Sequence, residues 1–416
     1  MYKLSVKLKR IAALSVAVLL LAAAAGCSVI NRSASFLRRV TTAKGETVVA
    51  ETGTRKFYYD QLSEEEQLNY RLLLAAYQRM DEEVTGLTLS VKEMIRINKL
   101  MLLDCPELFW VANSGVYYDE NLIPLLYMGG RYTPRYRYTR EQVEELSAKI
   151  DSVCDAFAEK HVGESDYEKA LAAYEYIIDT TEYDNETADI IIEKKDYDPL
   201  ADDSQCIVSV FVEHKSVCAG YSAAYQYLLR RLGIFATSII GTVKNAETGI
   251  TYSHEWSMLE LGGEWYYSDI TWGEPEAEDA IAEYSYFCIT SAEMTATHKP
   301  NDWAQYPDSE AYDCNYFNRI GRYYTELDVQ SLGEAIIRTV RDHGEYLSFK
   351  FMNKRDYGAM KEYLQFATGR AIGVSRYLHT AAVNFSYMVL EKTTYTAIDD
   401  IRIVRLHFTY DDGEET

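Results

Sequence analysis

The stretch HEWSMLELGGEWYYSDITW, residues 254–272, restricts the fold more than any other part of the chain. Two runs of alternating polarity flank Gly262-Gly263. Such a pair signals a two-residue hairpin turn, because the turns that match strand twist need positive φ at their central residues. With the turn there, Leu261 faces Glu264, which sets His254 opposite Thr271 and Trp256 opposite Asp269. All four side chains then share one face. His254 and Asp269 become diagonal neighbours, roughly 7–8 Å apart at the backbone, so an imidazole N–H can meet a carboxylate. Met258, Trp265 and Tyr267 make that face apolar enough to pack. The opposite face, with Glu255, Ser257, Glu264 and Ser268, reads as polar and solvated.

Upstream, SVCAGYSAAYQYLLRRLG (216–233) carries Tyr221, Ala224/Tyr225, Leu228/Leu229 and Leu232 at helical spacing, and Gly233 stands where a helix end wants a left-handed residue. Cys218 heads this helix. A thiol in that place feels the positive end of the helix dipole and unpaired N–H groups, which favour the thiolate. A histidine on an adjoining strand, oriented by an aspartate, completes a nucleophile, base and orienter: Cys218, His254 and Asp269. Alone, a cysteine or histidine is more often core filling than chemistry; together, in this order and with strand parity agreeing, the three read as a site. The other six histidines show no such partner pattern.

Around this set, the Cys218 N–H is the natural first oxyanion donor. Gln205 is a candidate second, although a glutamine in an acidic loop is ordinarily just solvated. Trp256 and Trp272 would wall a substrate cleft or belong to the core. The acidic run 179–203 reads as a solvated loop, or else as a gate that selects cationic groups. Nothing in the pattern calls for a cofactor or a metal.

These residues resemble the transglutaminase-like family, through V-C-x-G-Y at Val217–Tyr221, H-x-W at His254–Trp256 and the Asp-x-Thr-Trp run from Asp269. The likeness is close over about 60 residues and loose over 160–295. It implies an α+β fold with a papain-like core, in which a helix with an N-terminal cysteine packs on an antiparallel sheet carrying His and Asp. Members transfer acyl groups at glutamine or peptide amides, or hydrolyse peptides. There are two departures. Ser216 stands where glycine is common, and Glu255 where a small residue often follows the histidine, which either alters the base or faces solvent. The expected function is cysteine-dependent acyl transfer or hydrolysis at amide bonds of peptides, proteins or cell-wall peptides. The alternative is a non-catalytic cell-surface binding or scaffold module that keeps the fold.

The N-terminus points to export. Lys3, Lys7, Lys9 and Arg10 precede an uncharged run, Ile11–Ala25, that leads into Ala25-Gly26-Cys27, which resembles the lipobox of bacterial lipoproteins. Residues 1–26 are then a signal peptide, Cys27 the lipid-bearing first residue on the outer face of the cytoplasmic membrane, and 27–56 a flexible tether; an uncleaved anchor is the alternative. Removing the four cations takes the formal charge from -22 to about -26, which argues against a nucleic-acid partner.

Residues 57–160 read as a helical region, 161–299 as the core and 300–416 as a small α+β unit. Capping boxes mark helix starts at Ser63/Glu66, Ser90/Glu93, Thr139/Gln142 and Ser165/Glu168. In the last third, SLGEAIIRTVRDH and RDYGAMKEYLQFA read as helices, and YLSFKF, NFSYMVL and IRIVRLHFTY as strands. Cys105, Cys154, Cys206, Cys288 and Cys314 form no metal or disulfide pattern and read as buried free thiols. The 36 tyrosines, spread along the whole chain, read as core-edge residues rather than sugar platforms.

Overall fold

The computed structural model describes residues 55–112, 130–193, 203–244, 249–273, 284–364, 375–389 and 392–411. Cys27, with the expected signal peptide and tether up to residue 54, lies outside them, as do residues 194–202 of the acidic run. Among the described residues no helix is long and apolar enough to cross a membrane. The chain forms two compact units that meet at residues 140/141.

In the first unit, helices Glu64–Arg79 and Val91–Asp104 start at Ser63 and Ser90 with the full capping boxes expected. Strand β1 (Val84–Leu87) pairs antiparallel with β2 (Gly130–Tyr132). Tyr70, Leu73, Tyr77, Ile97 and Leu100 are fully buried and form its core.

The second unit starts with helix Arg140–Lys160, and helix Asp166–Thr180 follows with its box at Ser165/Glu168. Strand β3 (Glu182–Tyr183) pairs parallel with β4 (Lys215–Ser216). Between them the acidic run is not all loop, because Asn185–Glu193 is a helix. Asp184 starts it, its carboxylate accepting from the Thr187 N–H at 3.2 Å. Helix Cys218–Arg231 comes next, and Gly233 beyond it has φ +85°.

The central sheet has the order β7-β6-β5-β8, with β5 (Ala236–Lys244), β6 (Thr251–Leu261), β7 (Glu264–Ser268) and β8 (His298–Pro300) all antiparallel to their neighbours. Gly262 and Gly263 take φ +61° and +88°, as the hairpin turn requires. Leu261 pairs with Glu264 and Ser257 with Ser268, the expected register. Strand β7 ends at Ser268, however, so Asp269 is no strand partner of Trp256; it opens the turn Thr271–Gly273. The face read as solvated is not. Ser257 and Ser268 are fully buried, and the Ser268 hydroxyl accepts from the Cys288 N–H at 2.9 Å. Leu259, Leu261 and Tyr266 share that face and are buried too, so its serines are small packing residues rather than a polar surface.

The rest of this unit is a sheet of order β11-β12-β10-β9, from β9 (Tyr323–Tyr324), β10 (Tyr346–Phe351), β11 (Thr394–Ile398) and β12 (Ile403–His407). Helices Val329–Arg341 and Lys354–Leu364 occupy the expected segments. NFSYMVL is not a strand: helix Ser375–Asn384 runs into it, and Met388 makes a single bridge to Tyr410. Past the helix the Met388 N–H closes a turn on the Phe385 carbonyl at 2.9 Å, and Phe385 and Met388 pack with Leu378 and Ala381 of the helix into one core. Cys105, Cys154, Cys206, Cys288 and Cys314 are free and buried, and Tyr174, Tyr221, Tyr225 and Tyr266 are sealed in the core.

Candidate active site

The approach to Cys218 is held by hydroxyls. Ser216, the residue that stood in place of a glycine, is fully buried; its hydroxyl donates to the Ser204 carbonyl at 2.9 Å and meets the Ser209 hydroxyl at 2.7 Å. The Val217 N–H donates to the same carbonyl at 3.1 Å. The first helical turn sits directly on this cluster. A Cβ at Gly220 would lie 2.0 Å from the Ser216 Oγ, 2.8 Å from the Ser209 Oγ and 2.9 Å from the Ser204 carbonyl, so the glycine of V-C-x-G-Y is required by close approach. Cys218 is the first residue of its helix and is partly exposed, unlike the five buried thiols.

His254 on β6 and Asp269 after β7 do meet. The His254 Nε2–H donates to Asp269 Oδ2 at 2.7 Å, and the Cys218 sulfur acts on the same imidazole. Since Nε2 is committed to Asp269, Nδ1 is the nitrogen left for the thiol. Burial opposes the His254 charge, but the Asp269 carboxylate and the Cys218 sulfur outweigh it and carry its pKa up to about 10. For Asp269, burial is likewise outweighed, by His254 and then His298, and its carboxyl is held well below the ordinary range.

His298 is the residue that the sequence did not give. From β8 its Nε2–H donates to the same Asp269 Oδ2 at 3.0 Å, and Nδ1 lies 2.8 Å from the Thr297 hydroxyl. The other carboxylate oxygen, Oδ1, accepts from the Thr271 N–H at 3.1 Å, the Thr271 hydroxyl at 2.6 Å and the Trp272 N–H at 3.3 Å. Burial lowers the His298 pKa against the pull of Asp269, so the two imidazoles on one carboxylate are pushed in opposite directions. The three ligand atoms of His254, Asp269 and His298 lie within 4.8 Å of one another. Their contacts of 2.7 and 3.0 Å are those of shared protons; donors around one zinc ion would stand roughly 3.3 Å apart.

Tyr183 was missed as well. The parallel pairing of β3 with β4 sets it beside Ser216, and its hydroxyl takes the backbone N–H of Cys218. Burial, with Cys218 and Asp269 nearby, keeps its phenol far above the ordinary value, so it stays a donor. Gln205 ends the turn Asp203–Gln205, whose Ser204 supports Val217; what stands at the Cys218 amide is Tyr183. Trp256 is 1% exposed and is core, not a cleft wall: its ring stacks behind His254 at 6.3 Å. It also lies over Gly241, where a Cβ would come within 2.5 Å of the indole. Trp272 keeps partial exposure and tilts against His254 at 5.8 Å and His298 at 4.6 Å. The Glu255 side chain is packed among protein atoms although the residue keeps some exposed surface. Burial pushes its pKa up to about 8, offset by His254 and a hydrogen bond from Ser238.

The α+β fold thus brings together a cysteine at a helix start, an imidazole and a buried carboxylate behind it. Residues 155–270 match the family model of the transglutaminase-like superfamily, a stretch that contains Cys218, His254 and Asp269 and stops short of His298. Among solved structures, one described as a TGase is 24% identical over 32% of this chain and 33% of its own, with a TM-score of 0.27. A provisionally assigned cysteine protease from Cytophaga hutchinsonii is 19% identical over 32% of this chain and 43% of its own, with a TM-score of 0.22. The chain therefore spans less than half the length of either. No curated protein gives a significant match.

Proposed function

We propose that the chain is a cysteine-nucleophile enzyme that transfers or hydrolyses acyl groups at amide bonds of peptides or proteins. The observation that carries this reading is the set Cys218–His254–Asp269, with the imidazole held at Nε2 by a buried carboxylate and acted on by a partly exposed Cys218. The Cys218 proton passes to His254 Nδ1 as the sulfur attacks the amide carbonyl carbon, a C–S bond forms and an electron pair moves to the oxygen. The Tyr183 O–H is the donor we assign to that oxyanion, and the Cys218 N–H joins it when it leaves the Tyr183 hydroxyl. Collapse breaks the C–N bond as His254 Nδ1 hands its proton to the departing amine, leaving a thioester. Water or an acceptor amine then gives a proton back to Nδ1 and releases the acyl group. Trp272, partly exposed beside the imidazole, is placed to bound the acyl or amine side of the substrate. The lipobox-like start supports placement on the outer face of the cytoplasmic membrane through lipid on Cys27, where cell-wall peptides are accessible substrates.

Iodoacetamide tests the site without a known substrate. Its rate of reaction with Cys218, followed by peptide mass spectrometry from mildly acidic pH to above pH 10, should show a step where His254 loses its proton, near its raised pKa of about 10. His254→Ala should abolish that step. Profiles that superpose, or a Cys218 that reacts only after unfolding, would return the chain to the binding-module alternative. The same spectra on membrane-extracted protein should show a mature chain starting at a lipid-bearing Cys27, and an intact Met1 there sinks the export proposal.

A further inference from the structure

We propose that His298 is a positioning residue for the candidate reaction: by donating to the very oxygen that His254 uses, it takes a share of the Asp269 charge and so sets how tightly His254 holds its proton. This rests on the reading of Cys218, His254 and Asp269 as the catalytic set.

The geometry is specific. Two Nε2–H groups converge on Asp269 Oδ2, at 2.7 Å from His254 and 3.0 Å from His298, although Oδ1 is a separate acceptor with its own donors. His298 is 1% exposed and arrives on the edge strand β8, paired with β5 at Val243. Its orientation is fixed on every side. The Thr297 hydroxyl is at Nδ1, and the rings of Trp256, Trp272 and Tyr286 lie 4.9, 4.6 and 5.6 Å away. The Thr297 hydroxyl at Nδ1 itself donates to the Met294 carbonyl at 3.4 Å, and that carbonyl acts on His298 as well, so this edge of the ring is held from the chain just before it.

An ordinary core histidine satisfies its ring nitrogens with whatever backbone or hydroxyl groups lie nearby. This one is spent on the orienting carboxylate, and competition for one oxygen has a direction. Each donor polarises the acceptor and weakens what it offers the other, so His298 lowers the hold of Asp269 on the His254 proton. A base that must return its proton to a leaving amine works best when that hold is moderated. The other titratable groups facing His254 are Cys218 from its helix, Tyr183 from β3, and Tyr252 and Glu255 on its own strand. Tyr286 faces His298, with Glu293 and Asp400 acting on it. Among the described residues the donors to Oδ2 are His254 and His298.

The test compares His298→Met with His298→Gln, two side chains of similar volume of which glutamine alone retains an N–H able to reach Oδ2. The readout is the upper step of the Cys218 iodoacetamide profile, with folding checked by circular dichroism. His298→Met should move that step upward by about half to one unit, and His298→Gln should bring it back toward wild type. A purely structural role would change stability and leave the step in place, and an unmoved step in folded His298→Met overturns the proposal. His298→Leu, which likewise lacks an N–H for Oδ2, covers a methionine variant that does not fold; the step should rise there too, and no rise overturns the proposal equally. Wild type separates the two failures. A wild-type profile with no His254-dependent step removes the catalytic reading and this proposal together, whereas a normal wild-type step with unmoved variants removes this proposal alone.

Discussion

Asp269→Asn should cost about three orders of magnitude or more in the turnover of an acyl probe while leaving the chain folded. The reason lies in how both carboxylate oxygens are used. Oδ2 accepts from two imidazole N–H groups, and Oδ1 from two backbone N–H groups and a hydroxyl. An asparagine must present its NH2 to one of these sets. If it faces the imidazoles, His254 loses the acceptor that fixes its Nε2–H tautomer, and Nδ1 is no longer reserved for the thiol. If it faces Thr271 and Trp272, donors oppose donors and the turn that carries the side chain is strained. Either way stability should fall by about 1–3 kcal/mol, less than unfolds a domain, while the orienter is gone. Release of p-nitrophenol from p-nitrophenyl acetate measures both phases, acylation of Cys218 and breakdown of the thioester; the second should suffer more, because water needs His254 as a base. Tyr183→Phe in the same assay should slow both phases by about 10²-fold with the pH profile unmoved, as loss of an oxyanion donor does. Unchanged turnover in Asp269→Asn would make the aspartate a structural residue.

What could be read from the sequence was what local geometry determines. The Gly262-Gly263 turn fixes the register from Ser257 to Leu261 without reference to anything distant, and that register brings His254 to Asp269 even though the strand pairing stops at Ser268. Gly233, the three serine capping boxes and the helix behind Cys218 follow from spacing in the same way. His298 and Tyr183 are set by long-range pairing instead: β8 on the far edge of the sheet and β3 beside β4. Neither short strand has a periodicity, and a histidine in THKP offers no local sign that a carboxylate 29 residues earlier will meet it. The misread segments have one cause. The serine face of the hairpin is read from its polar residues and NFSYMVL from its local apolar character, and neither tells a buried serine from a solvated one or a strand from a turn that follows a helix.

Glu293→Ala should be among the most destabilising single changes in the second unit, although it touches no residue of the proposed chemistry. Glu293 Oε1 faces Lys350 at 3.2 Å and Arg402 at 3.2 Å, while Oε2 accepts from the Thr290 N–H at 3.2 Å and completes the capping box of the short helix Ser291–Met294. Lys350 is fully buried, and its contact with Glu293 is ionic without a well-formed hydrogen bond to the ammonium. Burial pushes its pKa down, opposed mainly by Glu293. Removing that carboxylate strands a charge in the interior, which costs about 3–5 kcal/mol, and lowers the melting midpoint by on the order of 10 °C. The deficit should depend on pH with a definite sign. A lysine whose folded pKa lies below its unfolded value binds fewer protons folded than unfolded between the two, so stability rises with pH across that window. The Glu293→Ala deficit should therefore shrink as pH is raised toward the ordinary lysine pKa, and Lys350→Met added to Glu293→Ala should recover much of it at neutral pH. The consequence for the site follows from position, since helix Ser291–Met294 leads within four residues to His298. Loosening its cap should broaden or shift the upper step of the Cys218 alkylation profile at temperatures well below the melting midpoint. Thermal melts across pH, run beside that profile, check both expectations, and a variant as stable as wild type at neutral pH would show that Lys350 sheds its proton in the interior at no cost and that the ion pairs hold nothing in place.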